Sequence, residues 1–280
     1  MAQQAAASST NDWVPSAGAH SIQHSYAAVI FAEPLPTSRF NRLLTEVRDS
    51  FRKLGLVEEA KIATMLFEMS PGAPLRAKHG DEQAGTEYFR KIGNFVAEKA
   101  TIERSSMRFD TWQYTRWVAM RSQIRGVLSA VLPVFIDLVP ATQIVLEYTD
   151  LFHSAAPGPA DVSAVIDMES KYLPRMPFDP MSHWHSHTGW FEPVDGHNQR
   201  LCNVDVNVLD ANGPLGERRI VSIRTHQEQR LAEGRSKIES VTGGVEETLN
   251  ALDGMHISLK ETLGAVLASG ARQMISLGDE

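Results

Sequence analysis

"LCNVDVNVLDANGPLGERRIVSIRTH", residues 201–226, decides the fold. Cys202, Val204, Val206 and Val208 alternate with Asn203, Asp205 and Asn207, and "RIVSIRTH" (219–226) alternates again. A period of two is that of a strand with one face buried. Between the two runs stands Asn212-Gly213, a dipeptide that accepts the positive φ angles of tight hairpin turns. The stretch therefore predicts an antiparallel hairpin with its turn within 210–218.

Toward the C-terminus, "RLAEGRSKIESVTGG" (230–244) is polar and reads as mobile. Val245, Leu249, Leu252, His256, Leu259, Leu263 and Val266 then step alternately by four and three, which keeps one apolar seam on one helix face. This predicts a continuous helix over 245–267 with His256 mostly buried in the seam. It would lie along a sheet or in an intramolecular bundle, in preference to an oligomer zipper.

Toward the N-terminus, "YAAVIFAEPL" (26–35) reads as a strand, and Phe40, Leu43, Leu44, Val47, Phe51 and Leu54 mark a helix. Thr37 or Ser38 would cap its start and Gly55 its end. Residues 62–70 read as a strand, and the Gly- and Pro-rich 71–85 as a loop. Residues 87–110 suggest two or three short strands. Trp117, Met120, Ile124, Val127, Leu128, Val131 and Phe135 share the face of a helix over 112–138, with Pro133 at a kink or in the last turn. A half-buried strand follows over 142–152, and 162–168 is a further candidate strand. Helices alternating with groups of short strands indicate an α+β fold: antiparallel sheet packed by long amphipathic helices. Two similar sub-domains are compatible with this order, although no residue-level repeat ties them. The expected division is a flexible tail (1–23), a sub-domain (24–152), a linker (153–161) and a second sub-domain (162–280) that ends in the long helix.

The chain has 280 residues, 42% of them hydrophobic and 22% charged, as in ordinary globular proteins, and a formal charge of −7. A diffuse acidic balance argues against a general nucleic-acid binder. A single cysteine, Cys202, allows no intrachain disulfide, which fits a reducing compartment, and its place in an alternating run makes it a small buried hydrophobe. The N-terminal stretch has no basic region and no continuous apolar core, unlike a secretory signal. The most apolar run, 127–140, is too short to span a bilayer. The expected location is cytoplasmic, away from membranes. There is no dinucleotide fingerprint and no phosphate-binding loop.

In order and spacing, residues 24–275 resemble a sporadically distributed bacterial family of uncharacterised proteins of roughly 250 residues. The resemblance is carried by "AVIFAEPLP", by "YTRWVAMRSQIRGVLSAV" with Tyr114 and Trp117 at its start, by "IVLEYTDLF", and by "LNALDGMHISLKETL" with His256. Glu147 stands where the family tends to carry Arg. The resemblance implies a bacterial cytoplasmic protein and supplies no catalytic residues.

"HWHSH" (183–187) raises the question of a metal. On an extended chain His183, His185 and His187 share one face. Neighbouring members lie about 7 Å apart and the outer pair about 13 Å, so one strand offers at most two ligands. Further ligands would come from Glu192, Asp195, His197, Asp205 or His226. "HSHTGWFEPVDGHN" is also similar to the metal-binding core of deubiquitinase-type metalloproteases, with His185 and His187 matching. Asp195 and Asn198, however, stand at that motif's Ser and Asp positions, and an amide is a poor substitute for a zinc-bound carboxylate. Arg104, Arg108, Arg116, Arg121 and Arg125 form a locally basic stretch near Tyr114 and Trp117, which reads as a solvated helix face or a contact for an acidic protein partner in preference to phosphate contact and stacking by a nucleic acid.

These observations point to a non-enzymatic cytoplasmic binding or accessory protein that acts through a macromolecular partner, of the kind encoded in a mobile or accessory operon. The alternative is a metal-dependent hydrolase using His185 and His187. The candidate contact residues are Arg121, Arg125, His183, Trp184 and His185, and the candidate metal ligands are His185 and His187. No cofactor is expected, zinc being the metal those histidines would take. A protein partner is expected; a homo-oligomer and nucleic acid stay open.

Overall fold

The structure, a computed structural model, describes residues 12–68, 76–135, 138–175, 179–194, 199–213, 216–231 and 241–277. In chain order the elements are β1 (Trp13–Pro15), β2 (Ile22–Phe31), α1 (Thr37–Lys53), β3 (Glu58–Glu68), β4 (Arg76–Ile92), β5 (Phe95–Glu103), β6 (Ser106–Thr111), α2 (Trp117–Phe135) and β7 (Ala141–Ser154). They continue with β8 (Trp184–Pro193), β9 (Gln199–Gly213), β10 (Gly216–Arg230), α3 (Val241–Val266) and α4 (Ser269–Met274). The strands form a large antiparallel sheet in the order β3-β4-β5-β6-β2-β7-β10-β9-β8, with β1 added on β7. The fold is α+β and dominated by its sheet. Among the described residues, no helix is long and apolar enough to cross a membrane.

The chain divides into two compact units. The first comprises Met1–Ser25, Leu146–Gln229 and Asp253–Glu280; the second comprises Tyr26–Val145 and Arg230–Leu252. Residues 153–161 thus lie inside the first unit.

In the second unit, α1 buries Phe40, Leu43, Leu44, Val47 and Phe51. Tyr88 of β4 stands edge-on to Phe51, and its hydroxyl donates to the Leu44 carbonyl at 3.1 Å. Helix α2 buries Met120, Ile124, Val127, Leu128, Val131, Leu132 and Phe135, and Phe135 stacks on Phe31 of β2 at 3.8 Å. Gly126 makes room for α1: a Cβ there would stand 2.5 Å from Leu54 Cδ2.

Several expectations need correction. The α1 start is capped by neither Thr37 nor Ser38: Pro36 holds the cap position, and no side chain bonds there. Its end follows the sequence, because Gly55 has φ 85° and Leu56 N–H donates to the Phe51 carbonyl, closing a Schellman turn. Helix α2 begins at Trp117, five residues later than expected, with Pro133 in its last turn. Of the expected loop 71–85, residues 76–85 are strand β4, paired to β3 and, through Gly85, to β5; residues 71–75 lie outside the described residues. At Gly85 a Cβ would meet the Ile102 carbonyl at 2.8 Å, so this glycine serves close strand approach, not a turn. Residues 162–164 form a single 3-10 turn where a strand was expected. Of the expected tail 1–23, residues 1–11 lie outside the described residues, and the rest is ordered: Trp13 is 3% exposed and its indole N–H donates to the Asp161 carbonyl.

In the first unit, β9 and β10 are neighbours, so the hairpin is present. The strands run further than expected, to Gly213 and from Gly216, which leaves Asn212-Gly213 at a strand end. Val204, Val206, Val208, Val221 and Ile223 face a core made with Phe152, Val165, Ile166, Leu263, Val266 and Leu267. Helix α3 is continuous, but Met255 is the fully buried residue near its middle and His256 is only half-buried. The His256 ring sits at the margin of the apolar face, with Nδ1 2.9 Å from the Tyr148 hydroxyl.

Candidate functional site

The histidine strand belongs to the first unit. β8 pairs with β9 over ten residues without a register shift, placing His187 opposite Asp205 and His185 opposite Asn207. Trp184, Ser186, Thr188 and Trp190 point to the core side and are buried or half-buried; His185, His187 and Phe191 point away and are exposed. The expected common face holds for His185 and His187 only. His183 precedes the strand and leaves its alternation: its Nε2 lies 2.7 Å from Asp210 Oδ2. Asp210 also receives a bond from Arg219 Nε at 2.6 Å, and Arg219 is 3% exposed. The Arg219 hydrogen bond and then that of His183 hold the Asp210 carboxyl below its ordinary pKa.

On the side away from the core, charged groups alternate across the strands. His187 Nδ1 is hydrogen-bonded to Asp205 Oδ1. The other oxygen of Asp205 accepts from Arg224 Nε at 2.6 Å. Arg224 lies 3.9 Å from Glu147 Oε2, which is 3.0 Å from His226 Nδ1. The sequence His–Asp–Arg–Glu–His thus runs through β8, β9, β10 and β7 and back to β10. Asp205 and Glu147 are both buried; Asp205 accepts from His187 and Arg224, while Glu147 meets the His226 ring within hydrogen-bond distance and the Arg224 guanidinium at ion-pair distance, the kind of compensation a desolvated carboxylate requires. Burial pushes the Asp205 carboxyl up, but the hydrogen bonds from His187 and Arg224 outweigh it and leave the pKa below the ordinary value.

What this arrangement can do chemically is limited. A His–Asp pair resembles half of a nucleophile-activating set, but the chain's one thiol does not serve it. Cys202 is 1% exposed on the core side, and burial, with Glu192 beside it, pushes the thiol up to about 12. Among the described residues no group of three or more His, Cys, Asp or Glu is set to hold a metal. Of the residues that could complete a site with His185 and His187, Asp205 and His226 are held in the ion-pair row, and Glu192 accepts from Trp190 Nε1 at 2.7 Å. Asp195 and His197 lie outside the described residues. Protein dialysed against a chelator is therefore expected to keep its melting temperature, because loss of a structural zinc would be conspicuous. About one zinc per chain by elemental analysis, lost on His185→Ala with His187→Ala, would overturn this.

The basic stretch disperses on folding. Arg104 donates to the Leu35 carbonyl at 2.8 Å. Arg108 grips Asp110 and stacks 3.7 Å above the Tyr26 ring. Arg125 forms a bidentate pair with Glu246 of α3, its Nη2 3.1 Å from Oε2. Arg121 is half-buried and Arg116 exposed. Arg121 and Arg125 therefore do not make a joint open patch. Beside α2, Glu98, Thr111, Tyr114, Met120 and Gln123 line a cavity of about 70 Å³, room for two or three waters and not for a substrate of ordinary size.

Sequence reasoning missed Glu147, Arg224, Asp210 and Arg219. Their signal was period two, which places Arg224 and His226 on the polar side of their strand and Arg219 on the apolar side. No family model matches the chain, and no curated protein matches it.

Proposed function

We propose that this is a non-enzymatic binding protein that acts through a protein partner, and that the partner contacts the outer strand β8. One observation carries the reading: among the described residues β8 is the last strand of the sheet, ten regularly paired residues with Phe191 55% exposed and no Lys or Arg in its sequence. Leu209 and Val194, 42% and 39% exposed, stand near its two ends. Exposed edges of this kind are the template for strand addition, in which main-chain hydrogen bonds give affinity and alternate side chains give specificity. The hydrogen-bonded row from His187 to His226 supports the same reading, since it lends the face order. His185 and Trp184 stay contact residues in this account; His183, Arg121 and Arg125 do not. A bacterial cytoplasmic location and an accessory-operon origin belong to the same proposal; the single cysteine, which allows no intrachain disulfide, and the resemblance to a bacterial family support the location.

The test is affinity purification from the native host with the wild type, Phe191→Lys, and the exposed control Arg116→Glu. A specific co-purifying protein should fall about tenfold or more with Phe191→Lys and persist with the control, as for a central contact residue. Equal recovery with all three proteins would sink the reading.

A further inference from the structure

We infer that the partner of β8 is β8 of a second copy, paired antiparallel about a two-fold axis through the middle of the strand. The inference rests on β8 being the contact strand, as proposed above. A two-fold perpendicular to the sheet brings identical edges together antiparallel and keeps matching faces on one side, so opposed residues share parity. Two central registers satisfy this over the length of Trp184–Pro193. With the axis at Thr188, Phe191 stands opposite His185 of the second copy; with the axis at Gly189, it stands opposite His187.

Both registers therefore set the exposed aromatic ring against an exposed imidazole, twice per pair, the kind of cross-strand contact that stabilises sheets. Charge points the same way. Glu192 is the only residue of β8 with a full charge when histidine is neutral. In either register the two Glu192 side chains lie six to eight residues apart along the strand, about 20–27 Å, beyond the screening length at physiological salt. Opposite each Glu192 stands Trp184 or Ser186, so no like charges meet. The other terminal strand lacks this self-complementarity: β3 carries Glu58, Glu59 and Lys61, and its pairing with β4 shifts register twice.

Sedimentation velocity on the full chain between about 1 and 100 µM tests the inference, a range that spans typical moderate affinities. The wild type should form a dimer, and Phe191→Lys should weaken it about tenfold or more while leaving the circular-dichroism spectrum unchanged and, at concentrations where both proteins are monomeric, the melting temperature unchanged. Geometry is read separately, by mixing His185→Cys or His187→Cys chains with Phe191→Cys chains and adding a short bis-maleimide. Buried Cys202 supplies an unreactive background. A covalent dimer in one of the two mixtures, at the size of two chains, is expected. A wild type that stays monomeric at about 100 µM overturns the inference. So does a dimer that is indifferent to Phe191→Lys and cross-links in neither mixture. A monomer that still captures a host protein in a Phe191-dependent manner overturns only the identity of the partner and leaves the function proposed above standing.

Discussion

Leu259→Ala is expected to cost about 2–5 kcal/mol of folding free energy, read as a lower denaturant midpoint at unchanged slope. Leu259 lies in α3 with 2% of its surface exposed, between Met255 at 0% and Leu263 at 6%. Alanine is the better helix former, so the helix itself does not suffer. The loss is the transfer free energy of the removed methyl groups plus the cavity they leave in a packed region. Ile257, 59% exposed on the opposite side of the helix, is the control, and its replacement by Ala should cost less than about half a kcal/mol. A Leu259→Ala loss of that small size would mean that the seam is peripheral.

Asp150→Asn is expected to stabilise the protein on the alkaline side and to flatten its dependence on pH. Asp150 sits on the core side of β7 among Tyr148 and Phe152, is 1% exposed, and meets the Ser21 hydroxyl at 2.6 Å through Oδ1, while Oδ2 has no partner. Burial pushes its pKa up to about 7, with the Ser21 bond opposing. The folded pKa thus stands above the unfolded one. Between about pH 4 and 7 the folded chain keeps a proton that the unfolded chain releases, so stability falls as pH rises through that window. A displacement of about three pKa units corresponds to roughly 4 kcal/mol at most. Asn keeps the acceptor for Ser21 and carries no charge. At pH 8 the variant should gain on the order of 2–4 kcal/mol over the wild type, and the two should agree within about 1 kcal/mol at pH 4. Parallel stability curves for the two proteins from pH 4 to 8 would show that the Asp150 pKa is the same in the folded and unfolded chain.

The elements legible in the sequence are those whose period is set locally. Alternation gave the β9 and β10 strands, and four–three spacing gave α3, because one buried face imposes each pattern on its own residues. Strand β4 was not legible between 76 and 85. There Lys78, Gly80, Asp81 and Gly85 read as loop, and the strand exists because partners on β3 and β5 pair with it. The same limit applies to the site. His185 and His187 could be placed on one face from alternation alone. That His187 would be held by Asp205, and Asp205 by Arg224, depends on a register between strands that no single strand specifies. His183 was misplaced because the alternation was extended one residue past the true strand start. Asp150 carries its own signal in the sequence, a carboxylate at an apolar position of an alternating run.

The two terminal strands of the sheet differ in how they handle growth. An edge that is regular and free of lysine invites addition, whereas one with bulges and flanking charges refuses it. With β8 inviting and β3 refusing, added strands have one place to go. In the pair inferred above, the path of described strands ends at β3 on each side, and the charges and register shifts there oppose further growth. A chain with two permissive edges would extend head to tail without limit, as fibrils do. The charges and register shifts of β3 therefore bear on the solubility of such a pair: replacing Glu58, Glu59 and Lys61 with Thr removes the charges but leaves the register shifts, and should give more association beyond the dimer at high concentration than the wild type shows.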